Sequence, residues 1–182
     1  MVKKEIIIGV TGSVAAYKAC DVIGKLKKAG HNTIVVMTKE AAEFVTPLLL
    51  ASISGNQVYS DMFKAAQAWD PQHVSLAQKA DMVLIAPATA NIIAKLAAGI
   101  CDDLLTCVVI TTKAPVLLAP AMNSNMYAHK ATQENIKRLK SFGYKFVGPV
   151  KGRLVCGLTG IGHIADTDEI INTAEKILKG KK

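Results

Sequence analysis

The amino-acid sequence predicts an α/β fold of three layers, α on β on α, built around a mostly parallel sheet. Three observations lead there. Short apolar runs alternate with stretches of helical character, the pattern of strand–helix–strand units. Runs such as Ile6-Ile7-Ile8 and Met82-Val83-Leu84-Ile85 are apolar without a break, which suits strands covered on both faces. Glycines stand just past the helical stretches, where a left-handed residue closes a helix. A chain of 182 residues fits one such unit, so residues 1–182 are assigned to a single domain.

In chain order, strands are expected at Glu5–Val10, Thr33–Met37, Met82–Ala86, Val116–Ala119 and Lys145–Val147, with a further candidate at Gln57–Tyr59. Helices are expected at Val14–Ala29 before Gly30, Asn91–Ala98 before Gly99, and Thr132–Ser141 before Phe142-Gly143. A last helix, Asp168–Leu178, has Asp166 or Thr167 as its N-cap and acids in its first turn, which the helix dipole favours. A short helical segment begins at Val74, after His73.

Composition narrows the function. No apolar run approaches the roughly 20 residues of a membrane span, and no signal-peptide pattern precedes the first strand. Cys20, Cys101, Cys107 and Cys156 show neither a CxxC pair nor a secreted-scaffold rhythm, so reduced thiols are expected. A cytoplasmic protein follows. The net charge of +8 raises nucleic acid as a partner, but only Arg138 and Arg153 among the 22 basic residues are arginines, and aromatics make up 5%. The charge therefore reads as solubility with a preference for anionic ligands, with no nucleic acid and no membrane.

In open parallel sheets, ligands bind outside the C-terminal ends of the strands. That rule selects Thr11-Gly12-Ser13, Thr38-Lys39, Pro87–Asn91, Pro120–Asn123 and the long loop from Gly148 to Asp166. Thr11-Gly12-Ser13 joins a strand to a helix, so Ser13 and the free helix N–H groups suit a phosphate, although Ser13 is equally readable as a plain N-cap. The turn lacks GxGxxG, and Thr38-Lys39 stands where a dinucleotide fold places a ribose-binding acid, which favours a mononucleotide. Thr89-Ala90-Asn91 again opens a helix, as a ligand turn or a cap.

Two residues carry reactive groups in conspicuous places. His73 sits near a helix start, where the dipole helps keep an imidazole neutral as a base requires; a lone histidine is also commonly structural. Cys156 lies in a loop holding Gly152, Gly157, Gly160 and Gly162, an environment for a mobile lid rather than core filling, with Arg153 available for an anion, although the same cysteine is also readable as an incidental thiol.

At these residues the chain resembles the homo-oligomeric flavin-containing cysteine decarboxylases, from Gly9 to Asp166. The resemblance is carried by Gly12–Lys18, His73, Ala86–Asn91 with Gly99–Thr106, the Pro120-Ala121-Met122-Asn123-Ser124-Asn125-Met126 run, and Cys156-Gly157. It implies a Rossmann-like flavoprotein fold with FMN held at its phosphate by Gly12, Ser13 and Val14. Thr38, Lys39, Thr89, Ala90, Asn91, Ile92 and Ala121 would surround the rest. Asn123, with Met122 and Arg153, would bind the substrate; His73 would act as base and Cys156 as proton donor. The implied reaction converts phosphopantothenoylcysteine to 4′-phosphopantetheine in coenzyme A biosynthesis. Oxidation at the thiol-bearing carbon gives a thioaldehyde whose C=S bond takes up the electrons released with CO2. The enethiolate is then protonated and reduced. The resemblance further implies a homotrimer or a dodecamer of trimers with the flavin between subunits. A separate phosphopantothenate–cysteine ligase would supply the substrate, because the chain stops at Lys182. Alternatives within reach of the same motifs are a peptidyl-cysteine decarboxylase of the lantibiotic type and a non-catalytic flavin-binding regulatory subunit. His163 and Tyr127 depart from the residues frequent in this family.

Overall fold

A computed structural model describes residues 2–63, 71–153, 157 and 159–180. The sheet is formed by β1 (Glu5–Val10), β2 (Asn32–Met37), β3 (Val58–Tyr59), β4 (Met82–Ala88), β5 (Val116–Pro120) and β6 (Lys145–Phe146). Its order is β3-β2-β1-β4-β5-β6 and every pairing is parallel. Helices α1 (Lys18–Lys28), α2 (Pro47–Ser54), α3 (Gln72–Lys79), α4 (Ala90–Ala98), α5 (Leu104–Thr111), α6 (Ser124–Ala128), α7 (Lys130–Ser141) and α8 (Thr167–Lys179) complete the unit.

Strand alternation divides the core. On one face Ile6, Ile8, Val10, Leu84 and Leu117 pack with Val22, Leu26, Ile170 and Ala174 of α1 and α8. On the other, Ile7, Val83, Ile85 and Leu118 pack with Ile93, Leu105, Val108 and Leu139 of α4, α5 and α7. Successive residues of β1 thus serve opposite layers, as the two-residue strand period requires. The order reverses direction at β1 and β4, so the chain leaves those two neighbours toward opposite flanks and opens a crevice at their C-terminal ends.

Of the six expected strands, Glu5–Val10 forms as expected and the other five form with shifts of one or two residues at their ends. The expected helix Val14–Ala29 divides into a 3₁₀ turn at Val14–Tyr17 followed by α1, because the Ser13 hydroxyl accepts from the nearby Ala15 N–H and tightens the entry. The expected loop 148–166 instead contains a hairpin, β7 (Val150–Arg153) with β8 (Thr159–His163). Helices α2, α5 and α6 are additions. Thr46 caps α2 with Pro47 at its first turn and Gly55 at φ +71° closing it, while Asp103 and Thr106 form a reciprocal capping box on α5. Among the described residues, no helix is long and apolar enough to cross a membrane.

Candidate functional site

The crevice at the β1/β4 edge is a cleft of about 300 Å³. Thr11 joins its two sides. Its hydroxyl donates to the Pro87 carbonyl at 2.7 Å and accepts from the Thr89 N–H at 3.2 Å, so the turn after β1 and the turn into α4 are held as one piece. Gly12 lets the first turn approach the segment after β2: a Cβ there would stand 2.5 Å from the Glu40 Cβ. Thr89 caps α4 by accepting from Ile92 N–H, and Ala90, Asn91 and Ile92 continue along the wall. The opposite wall is Ala121 and Met122, beyond β5. Thr38 lines the cleft, and its Oγ1 is buried with no hydrogen-bond partner among the described residues. An unpaired buried hydroxyl costs about 1–3 kcal/mol, which a ligand's polar group would relieve.

A second cleft of about 490 Å³ adjoins the first and shares Ser13, Ala121 and Met122 with it. Asn123 lies here as the N-cap of α6, its Oδ1 accepting from the Asn125 N–H at 2.8 Å. The hairpin closes the far side with Arg153, Gly162 and His163. It is pinned by Met122 N–H, which donates to the Gly162 carbonyl at 3.0 Å. The strand can approach so closely because a Cβ at Gly162 would fall 2.2 Å from the Met122 carbonyl oxygen.

Most sequence-predicted residues therefore meet in two adjoining clefts: Gly12, Thr38, Thr89, Ala90, Asn91 and Ile92 in the first, Asn123 and Arg153 in the second, and Ser13, Ala121 and Met122 in both. Three do not fall as expected. Val14 lines the second cleft rather than the first, because the 3₁₀ turn carries it outward. Lys39 is exposed and lines neither cleft; Glu40 takes that place, so an acid does follow the second strand. His73, half-buried on α3, also lines neither; α3 packs against α5. Cys156 lies outside the described residues.

The sequence reading did not name Glu40, Asp103 and Met126 of the first cleft, nor Tyr17, Lys18 and His163 of the second, as site residues. Asp103 had a signal in its capping-box spacing with Thr106. Lys95 fixes the same corner, bridging Asp102 at 2.8 Å and Asp103 at 3.2 Å. The hydrogen bond from Lys95 holds the Asp102 carboxyl below its ordinary range, and that bond in turn raises Lys95. Among the described residues, no group of three or more histidine, cysteine or acidic side chains is placed to hold a metal.

A parallel-sheet crevice with two helix-opening turns and an orphaned threonine defines a nucleotide-type cofactor site, and its class is given by the family: the flavoprotein profile matches residues 1–179, and the chain belongs to the flavoprotein family. It is 44% identical over 177 residues to the probable phosphopantothenoylcysteine decarboxylase of Streptococcus mutans, covering 96% of this chain and 99% of that one. It is 43% identical over 173 residues to the coenzyme A biosynthesis bifunctional protein CoaBC of Bacillus subtilis, matching 95% of this chain but only 43% of the longer protein. The chain thus spans less than half the length of that bifunctional relative. Among solved structures, it is similar to a cysteine-to-serine mutant of PPC decarboxylase complexed with pantothenoylaminoethenethiol. The TM-score is 0.89 at 29% identity, and the match covers 98% of this chain and 100% of that one.

Proposed function

We propose that this protein binds FMN in the first cleft and decarboxylates phosphopantothenoylcysteine to 4′-phosphopantetheine in the second. The carrying observation is that the two clefts adjoin and share Ser13, Ala121 and Met122 in their linings, an arrangement that suits a cofactor in one beside a substrate in the other. The near full-length similarity to a probable phosphopantothenoylcysteine decarboxylase supports the substrate. The cofactor fits the residues present: Thr38 has an unpaired hydroxyl, Gly12 leaves room for close approach, and the opening of α4 offers free N–H groups. When bound, FMN supplies reversible hydride acceptance and return.

The chain's own residues divide the remaining work. Gly12, Ser13 and the start of α4 hold the phosphate and ribityl part, with Thr38 and Glu40 on one side and Ala121 on the other. Asn123 orients the cysteine carboxylate. Its backbone is fixed by β5 and by the hairpin pinned at Met122, so its amide is presented to the cleft without a large ordering cost. His73 takes the substrate thiol proton, and Cys156 gives a proton to the enethiolate after CO2 has left.

His73 lines neither cleft of its own chain, which supports an assembly in which a neighbouring subunit delivers it. Exposed Val14, Tyr17 and Ile161 around the second cleft provide apolar surface for such a neighbour to cover. A homotrimer or a larger assembly of trimers fits this reading, with the substrate made by a ligase activity.

Incubating FMN-loaded protein with phosphopantothenoylcysteine tests the proposal. Carbon dioxide and 4′-phosphopantetheine should appear in equal amounts by mass spectrometry. Release of CO2 with accumulation of the enethiol would favour the peptidyl-cysteine type of decarboxylase, and no CO2 from any cysteine substrate would leave a flavin-binding regulatory role.

A further inference from the structure

The chemistry at the cysteine end leaves a basic cluster in the second cleft without a task. Lys18 enters from the first turn of α1, Arg153 from the end of β7 and His163 from the end of β8. Lys18 Nζ lies 3.5 Å from His163 Nε2. An ammonium has only donors, so in a hydrogen bond between the two Nε2 is the acceptor. No acidic side chain lines this cleft among the described residues. The contrast with other lysines is direct. Lys25 and Lys95 each face two carboxylates, whereas Lys18 forms no ion pair among the described residues.

A concave site that gathers cationic groups, with no acidic side chain among its described lining residues, concentrates positive potential for an anion. Arg153 offers a planar fork, Lys18 a point charge and His163 a ring N–H, a set matched to the oxygens of a phosphate monoester. Asn123 lines the same cleft, so the proposed carboxylate contact and the basic cluster face one space. At about 490 Å³ the cleft lies in the range that holds a small organic ligand.

We propose that Lys18, His163 and Arg153 form the subsite for the substrate's terminal phosphate and set the preference for phosphorylated over unphosphorylated cysteine conjugates. This inference rests on the proposed decarboxylase reading. His163 is the distinctive member, since it anchors the lysine to the hairpin and couples phosphate recognition to placement of the strand that pins Met122.

The test uses FMN-loaded protein and two readouts. Calorimetry compares binding of 4′-phosphopantothenate with pantothenate, and kinetics compares kcat/KM for phosphopantothenoylcysteine with pantothenoylcysteine. The native protein should favour the phosphorylated member of each pair. Lys18→Met and His163→Asn should each lower that preference by about tenfold or more, the scale of one charge-assisted hydrogen bond, while Lys18→Arg should retain most of it. Each variant is taken forward only with native FMN content, and His163→Asn, a change on the outer hairpin, serves if Lys18→Met fails to fold. An unchanged preference in flavin-loaded His163→Asn and Arg153→Gln would overturn the subsite. If the native protein turns over neither substrate, the decarboxylase reading falls, yet calorimetry still decides whether the cluster recognises phosphate.

Discussion

Replacing Gly162 with alanine should uncouple the hairpin from the floor of the second cleft. The new Cβ would sit 2.2 Å from the Met122 carbonyl oxygen and 3.3 Å from the carbonyl carbons of Met122 and Asn123. These are backbone atoms, so no side-chain rotation relieves the clash, and the φ of +156° is one that L side chains rarely adopt. Relief comes by parting the strands, which sacrifices the 3.0 Å bond from Met122 N–H to the Gly162 carbonyl. Overpacking costs about 1–3 kcal/mol and a lost hydrogen bond about 1 kcal/mol, so the variant should lose roughly 2–4 kcal/mol of hairpin docking. The measurements are amide exchange at Met122, which should speed up, and KM for the substrate, which should rise. Gly24→Ala is the matched control. Gly24 lies inside α1 with nothing within 4 Å of an added Cβ, so alanine there should stabilise by about 0.4–1 kcal/mol. Native Met122 protection and native KM in Gly162→Ala would refute the idea that this close approach builds the cleft.

Thr11→Val should deprive both the Pro87 carbonyl and the Thr89 N–H of a buried partner, lowering the denaturation midpoint by an amount worth about 2–4 kcal/mol and weakening FMN binding in a fluorescence titration. A variant with native stability would show that the two turns are held together by something else. Asp21 is held below the ordinary carboxylate range by the hydrogen bond from Thr167 and then by Lys25, so it stabilises the fold above the unfolded value of about 3.9 and that contribution is lost as pH falls through the lowered native value. Thermal scans of Asp21→Asn should therefore show a lower Tm than the native protein near neutral pH, with the two curves converging in acid; a gap that persists in acid would exclude this linkage. Cys107 should alkylate slowly at mildly alkaline pH, because burial pushes its thiol above the ordinary range; rapid labelling in the folded protein would contradict that burial.

The parallel sheet was legible because its signal is local: continuous apolar runs specify β1, β4 and β5 whatever surrounds them. The first cleft was legible for a related reason, since the residues that follow each strand must converge once the strands are parallel. The hairpin was not. Gly152, Gly157, Gly160 and Gly162 read as a loop because glycine weakens a strand pattern, yet Gly162 is required where one backbone crosses another, a tertiary demand with no periodic trace. Lys39 and Glu40 show the same limit at finer scale. Both follow β2, and only the turn of the 3₁₀ segment beginning at Lys39 decides which lines the cleft. Lys18 and His163 are 145 positions apart and meet solely through packing of the hairpin beside α1. Helix α5 was missed because Leu104–Thr111 is rich in β-branched and apolar residues, while its capping box, which did mark the start, was read as part of a motif.

The separation of His73 from both clefts makes a prediction about pairs of subunits that no single variant can make. In the proposed chemistry His73→Asn blocks the first proton transfer and Cys156→Ser blocks the last, so each protein alone should fail to make 4′-phosphopantetheine. If each site takes His73 from one subunit and Cys156 from the next, co-expressing the two variants in equal amounts creates sites that hold both native residues. In a trimer that holds both variants, in either ratio, one of the three sites combines the two native residues, so about one third of native activity should return from the mixed trimers. Were both residues to act within one subunit, every site in the mixture would carry a defect and no activity would return. The assay is product formation by differently tagged variants purified through both tags, so that only mixed assemblies are counted. Mixed assemblies with full FMN content and no activity would place His73 and Cys156 in the same subunit, and would require α3 to move toward the clefts rather than a neighbour to supply it.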